Sequence, residues 1–132
     1  MPSGEVTVTA IVPLAIDDAF IAFRDDIDRW WGAGRSGATV IRFEGDRLIE
    51  ASTTGAETLA SVSSWEQPTR IEMAWNGPHS EPGDSVVVEF AQEPTGTRVT
   101  VRHFRIGVEP AAVTSAIIGL WWGDRLSRFQ QH

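Results

Sequence analysis

The sequence contains no cysteine, no lysine and no tyrosine. Without cysteine there is neither a disulfide framework nor thiolate chemistry, a composition that suits a reducing compartment and favours a cytoplasmic location. Without lysine all 11 cationic side chains are arginine, which excludes Schiff-base catalysis by a lysine amine. Without tyrosine the six tryptophans and six phenylalanines form a strongly apolar set whose only polar handles are indole N–H groups. Positive charge is also scarce. The 18 acidic residues leave a net charge of -7, which disfavours nucleic acid and anionic membrane surfaces as partners. No run approaches ~18 uninterrupted apolar residues, so no membrane span is expected. The segment from Met1 to Glu5 has no basic region and leads into alternating residues rather than a secretory signal. At 132 residues, with no Pro/Gly/Ser-rich linker, the chain reads as a single domain over 1–132. A domain of this size can bury roughly two-thirds of its unfolded surface and needs no disulfide or metal staple.

What is present is strand-rich. Polar and apolar residues alternate from Glu5 to Val12, and Pro13 ends the run. Asp17 and Asp18 suit a helix first turn, and Ala19, Phe20 and Phe23 give it an apolar side, so a short helix is predicted over Leu14 to Phe23. A second short helix covers Asp26 to Trp31. Strand candidates follow at Ala38–Phe43, Arg47–Ser52, Glu57–Trp65, Arg70–Trp75, Ser85–Ala91 and Thr97–Ile106, separated by Gly-, Pro- and Asn-bearing turns. Short turns between successive strands imply an antiparallel meander. The last element is a long helix from near Pro110 to Phe129. One of its faces carries Ile118, Trp122, Leu126 and Phe129, with Asp124 and Arg128 paired on the opposite side. A second apolar set, Val113, Ile117, Leu120 and Trp121, is rotated away from the first, and Gly119 sits where the two exchange. That displaced set implies either a bend or a partner, and a homodimer through these four residues is one expectation.

This order of elements resembles the helix-grip arrangement of the START-like or SRPBCC superfamily, an α+β fold with a curved antiparallel sheet of about seven strands, two short helices and a long C-terminal helix. Within it the chain is similar to the branch named after the activator of Hsp90 ATPase homologue. The matching residues are Pro13, Ala19, Phe20 and Phe23, then Trp30 and Trp31, then Trp65 through Pro68 with Arg70, Ile71 and Trp75. Gly96 through Val101 with His103, and Trp122 spaced to Leu126 and Phe129, complete the pattern. The resemblance implies a hydrophobic ligand, a polyketide cyclase or aromatase activity, or a co-chaperone role, since members of the superfamily do each of these.

The candidate site follows from the residues that should face inward. Trp30, Trp65, Trp75, Phe90 and Trp122 would supply apolar walls for a small hydrophobic or amphipathic molecule, and Met73 an adaptable surface. His103 continues the inward row of Val99 and Val101 and would add one polar contact, as a ligand anchor, a proton carrier or a hydrogen-bonded wall residue. No sequence feature identifies a partner that would tune it, and the structural role is preferred. Gly32, Gly34 and Gly37 spell a G-x-G-x-x-G motif, but they follow a helix and open a strand, the reverse of a dinucleotide loop. Asp25, Asp26 and Asp28 lack calcium-loop spacing, and His79 with Glu81 lacks a further ligand, so neither a metal nor a cofactor is expected. No G-x-S-x-G arrangement is present, and binding is favoured over catalysis.

Overall fold

The computed structural model describes residues 4–31, 40–52, 55–77, 83–105 and 112–132. The elements run β1 (Gly4–Val12), α1 (Ile16–Asp25), α2 (Ile27–Trp30), β2 (Val40–Glu44), β3 (Arg47–Ser52), β4 (Gly55–Glu66), β5 (Arg70–Trp75), β6 (Ser85–Glu93), β7 (Gly96–Arg105) and α3 (Ala112–Gln130). The strands form one sheet in the order β1-β7-β6-β5-β4-β3-β2, antiparallel at every step. Strands β2 to β7 are a meander, and β1 closes the far edge against β7, with Gly4 opposite Arg105 and Val12 opposite Thr97. This is the helix-grip α+β fold, with α3 lying across the concave face of the curved sheet.

Local chemistry explains where the elements begin. Pro13 ends β1, and α1 starts at Ile16, two residues later than the pattern of acidic and apolar residues implied. Ala15 offers no capping side chain, so the first-turn amide of Ile16 is met instead by Gln92 Oε1 from β6 at 3.0 Å. Beside it the buried Thr97 donates its hydroxyl to the Leu14 carbonyl at 2.7 Å. Together these bonds fix the end of β1 and the start of α1 to the β6–β7 hairpin. Asp26, with non-helical angles of -102° and 14°, separates α1 from α2.

Two irregularities bend the sheet. Register shifts fall opposite Leu48 and Ile49, where Leu59 of β4 is the extra residue, and between Val62 and Ser64, also on β4. A bulge adds one residue to its strand and increases the local twist. On β4 the extra residue also reverses side-chain parity, so that Trp65, three positions beyond buried Val62, is partly buried against the core.

The core lies between the sheet and the helices. Ile118, Trp122, Leu126 and Phe129 are all buried, as their spacing on α3 predicted, and meet Val99, Val101 and His103 on β7 and Ile71, Met73 and Trp75 on β5 in one continuous interior. On the opposite face Asp124 and Arg128 pair at 3.0 Å. Gly119 and Gly123 face β1, and a Cβ added there would come no nearer than 3.6 Å to Val6 and 4.0 Å to Val8. Gly96 differs: at φ +150° it places its α-carbon so that a Cβ would lie 2.0 Å from the Val12 carbonyl oxygen. Gly123→Ala should therefore raise stability by up to about 1 kcal/mol through better helix propensity. Gly96→Ala should lower it by more than about 1 kcal/mol. Urea denaturation midpoints of the two variants, moving in opposite directions, check this.

Candidate functional site

The sheet and α3 hold two adjoining aromatic groups. The first gathers Phe20 and Phe23 from α1, Trp30 from α2, Phe90 from β6 and Phe129 from α3. Ring centroids are 5.3 Å apart for Phe20 and Phe90, 5.1 Å for Phe23 and Trp30, and 4.7 Å for Trp30 and Phe129. Trp30 gives its indole N–H to the Ala22 carbonyl at 3.4 Å. The second group gathers Trp31, Trp75, Trp121 and Trp122. Trp75 lies 5.0 Å from Trp122 and 5.8 Å from Trp121, and Trp31 lies 5.4, 5.7 and 6.2 Å from Trp121, Trp122 and Trp75. Four of the six tryptophans thus meet in one place, largely edge to face, the orientation the ring quadrupole favours.

A buried polar chain supports this second group. Trp122 donates its indole N–H to His103 Nδ1 at 3.1 Å, and His103 Nε2 lies 2.9 Å from Asp84 Oδ2. An indole can only donate, so Nδ1 accepts, and the proton sits on Nε2 facing the carboxylate. His103 is therefore a neutral imidazole with both nitrogens engaged. Arg105 Nε approaches the same carboxylate oxygen at 3.8 Å and balances its charge in the interior. In a hydrolytic triad the equivalent lone pair would face a nucleophile; here it receives Trp122. The arrangement holds α3 to β7 and gives His103 no open lone pair for proton abstraction in this state.

At the rim Arg125 lays its guanidinium 4.0 Å from the Trp121 ring centroid and 5.5 Å from that of Trp31, and it pairs with Asp124 at 3.2 Å. These are cation–π distances. Trp75 presents its indole edge to Gly77, where an added Cβ would meet Cζ2 at 2.5 Å and Nε1 at 2.9 Å. The missing side chain at Gly77 is what leaves room for that ring.

Of the residues proposed from sequence, Trp75, His103 and Trp122 come together. Met73, buried on β5 one inward step from Trp75, packs in the same interior. Trp30 and Phe90 lie in the neighbouring phenylalanine-rich group. Trp65 sits at the edge of that group, 6.4 Å from Phe20, with Phe43 at 5.2 Å and its N–H on Asp46 Oδ1 at 3.1 Å. It lines an outer cleft of about 510 Å³ together with Arg24, Asp25, Arg42, Gly45 and Asp46. In that cleft the hydrogen bond from Arg24 holds the Asp25 carboxyl below its ordinary range, against an opposing desolvation. Because its folded value is depressed, the small contribution of this exposed pair is present above the unfolded carboxylate range and is lost as pH falls below that range through the lowered folded value.

Asp84, Arg105 and Arg125 were not singled out from the sequence, and Trp121 was considered only as part of a dimer surface. Arg125 stands four residues after Trp121, a helical spacing that places a cation on that ring; the buried role of Asp84 had no local signal beyond its position in a turn. Ile117 and Leu120 of the rotated apolar set are 41% and 76% exposed, whereas Trp121 packs partly against the core. The side chain of Val113, the glycine motif at 32–37, and His79 with Glu81 lie outside the described residues. The three aspartates face separate partners: Asp25 meets Arg24, Asp26 meets His132 at 3.3 Å, and Asp28 accepts the Ile41 amide at 2.9 Å. Among the described residues no three potential metal ligands gather, and no helix is long and apolar enough to cross a membrane.

A long helix closed over a curved antiparallel sheet, with its interior lined by aromatic rings, defines the START-like class of protein. The family model for "Activator of Hsp90 ATPase homolog 1-like protein" matches residues 16–131, and the chain belongs to that family. Among solved structures, the AHSA1-like protein from Aeromonas hydrophila is 24% identical, with a TM-score of 0.70 over 97% of this chain and 90% of that one. CalU16 from Micromonospora echinospora is 16% identical, with a TM-score of 0.68 over 98% and 73% of the two chains. DynU16, from the dynemicin biosynthetic locus, is 20% identical, with a TM-score of 0.69 over 98% of this chain and 47% of its own length. These likenesses establish the fold. No curated protein matches the chain.

Removing the centre of the buried chain should cost more than removing its end. His103→Leu, which strands Asp84 and the Trp122 N–H together, is expected to lower stability by about 3 kcal/mol. Trp122→Phe withdraws a single N–H and keeps an aromatic ring, so its hydrogen-bond component should be nearer about 1 kcal/mol. Denaturant unfolding of both variants gives the order.

Proposed function

We propose that this chain binds a small hydrophobic or amphipathic molecule between the curved sheet and α3, at the tryptophan cluster. The observation that carries the reading is that Trp31 and Trp75 bury indole N–H groups that meet no acceptor among the described residues. Buried polar groups normally have partners, and exceptions call for an explanation such as a ligand. The surrounding wall is apolar and aromatic with a few polar groups, the composition of small-molecule sites. In this reading Trp75 and Trp122 are the walls, with Met73 behind them. His103 holds Trp122 in place, and Trp30, Phe90 and Trp65 shape the adjoining interior. The absence of cysteine supports a cytoplasmic location.

A second, enzymatic reading draws on DynU16, whose gene lies in a biosynthetic locus. A cyclase-like role for this chain would operate by confining one conformer of a reactive chain, since both nitrogens of His103 are already engaged. A third reading, a homodimer, draws on exposed Ile117 and Leu120.

Titration of intrinsic tryptophan fluorescence with fatty acids, aromatic polyketides and isoprenoids tests the first reading. A saturable change with at least one class is expected, and a flat response to all three removes it. Sedimentation of the wild type beside Leu120→Glu tests the third: a dimer that dissociates in the variant supports it, and two monomers remove it.

A further inference from the structure

The outer cleft of about 510 Å³ beside Trp65 lies outside the tryptophan cluster, and its charges do not cancel. Three parts of the fold build it: the end of α1 with Arg24 and Asp25, β2 and its turn into β3 with Arg42, Phe43 and Asp46, and the end of β4 with Trp65. The bulge between Val62 and Ser64 turns Trp65 toward this place, and bulges beside active sites re-aim side chains in the same way. The Asp46 carbonyl accepts the Val62 amide at 2.6 Å, and Asp46 Oδ1 accepts the Trp65 N–H at 3.1 Å, so the turn and the ring are held together. Phe43 and Trp65 meet at 73° with centroids 5.2 Å apart, which makes an aromatic corner.

Each guanidinium in the cleft already has a carboxylate. Arg24 binds Asp25 through Nε at 2.8 Å and Nη2 at 3.3 Å, reaches Gln67 Oε1 at 3.5 Å with Nη1, and lies 5.8 Å from the Phe20 ring centroid. Arg42 binds Glu44 Oε2 through Nε at 2.6 Å. Asp46 differs from both acids. It makes no ion pair among the described residues, and its side chain is engaged at one oxygen only, by a neutral indole. Arg47, its neighbour in sequence, is not part of the cleft wall. Two positive charges thus face three negative ones, and the unmatched charge is that of Asp46.

We propose that this cleft binds a protonated amine carried on a short apolar body. The ammonium donates to Asp46 Oδ2, and the apolar body lies against Trp65 and Phe43. A cation beside an aromatic ring is attracted by the ring quadrupole, and tryptophan is the best ring for it. The open carboxylate oxygen supplies a charged, directional acceptor. An anion would find both guanidiniums already paired and would meet the charge of Asp46. The net charge of -7 adds a field of the same sense, drawing cations toward the protein. Because these groups are solvated each contributes modestly, and an affinity of roughly millimolar order is expected. The site is separate from the ligand-binding reading above and does not depend on it.

Three probes on one skeleton test the assignment: phenethylammonium, phenethyl alcohol and 3-phenylpropionate, added to the intact chain up to roughly 20 mM. Binding is followed through the indole N–H signals in nitrogen–proton correlation spectra. The Trp65 signal should move saturably with phenethylammonium, while those of Trp31, Trp75 and Trp122 stay in place. The ammonium compound should bind about tenfold tighter than the alcohol, with the carboxylate weakest. Asp46→Asn keeps an oxygen for the Trp65 N–H and should weaken phenethylammonium by about fivefold, leaving the alcohol unchanged. Glu57→Gln removes an exposed charge at the far end of the β3–β4 ladder and should change neither, which separates the local pair from the overall field. If Asp46→Asn fails to fold, the wild-type order of affinities and the Trp65 signal still decide the matter. Equal affinity for the three probes overturns the ammonium assignment, and tighter binding of the carboxylate overturns its sign. An Asp46→Asn variant that binds phenethylammonium like the wild type overturns the role of that carboxylate. Shifts confined to the interior tryptophans, or binding of none of the three, remove the site.

Discussion

The seating of α3 on the sheet is the constraint from which the interior takes its form. Four apolar side chains at helical spacing are buried along it, and one of them, Trp122, is tied by a hydrogen bond to His103 and through it to Asp84. Apolar burial is not directional. It would hold the helix against the sheet at many rotations and offsets. The N–H···N contact admits few of these, because an indole proton must meet the single lone pair of a specific tautomer. The polar chain thus selects one seating among those that burial alone would allow.

That seating determines which tryptophans meet. With Trp122 turned toward β7, Trp121 on the adjacent face is directed toward Trp31, and Arg125 one turn later reaches both rings. On its other side Gly119 and Gly123 face Val6 and Val8 of β1. The exchange of apolar faces along α3 reflects a helix shared between two neighbours, a strand it nearly touches and an aromatic cluster it caps.

Most of the scaffold was legible because its signals are local. Alternation marks β1 and β7, turn residues separate the hairpins, and the Ile118, Trp122, Leu126 and Phe129 spacing identifies the buried stripe of α3. The inward direction of His103 also followed from its row with Val99 and Val101. What could not be read was pairing at a distance. Asp84 and Trp122 each stand 19 positions from His103, on opposite sides of it, and nothing in either stretch advertises a shared chain. The bulge between Val62 and Ser64 has no Gly or Pro to announce it, and yet it turns Trp65 toward Phe43 and Asp46. The orphan donors of Trp31 and Trp75 are a property of the packed interior, invisible in a list of residues.

The pairing of β1 with β7 has a consequence for how this chain is made. The first strand leaves the ribosome early, and its hydrogen-bonding partner begins at Gly96, about 85 residues after Val12. At translation speeds of about 5–20 residues per second, that interval is roughly 4 to 17 seconds. Through it the nascent segment Glu5 to Val12 carries an open edge rich in valine and threonine, the kind of edge that recruits other strands. The platform on which α3 will rest is assembled only once β7 has been translated. Nascent-chain quality control therefore meets this domain as an unfinished sheet until β7 has emerged.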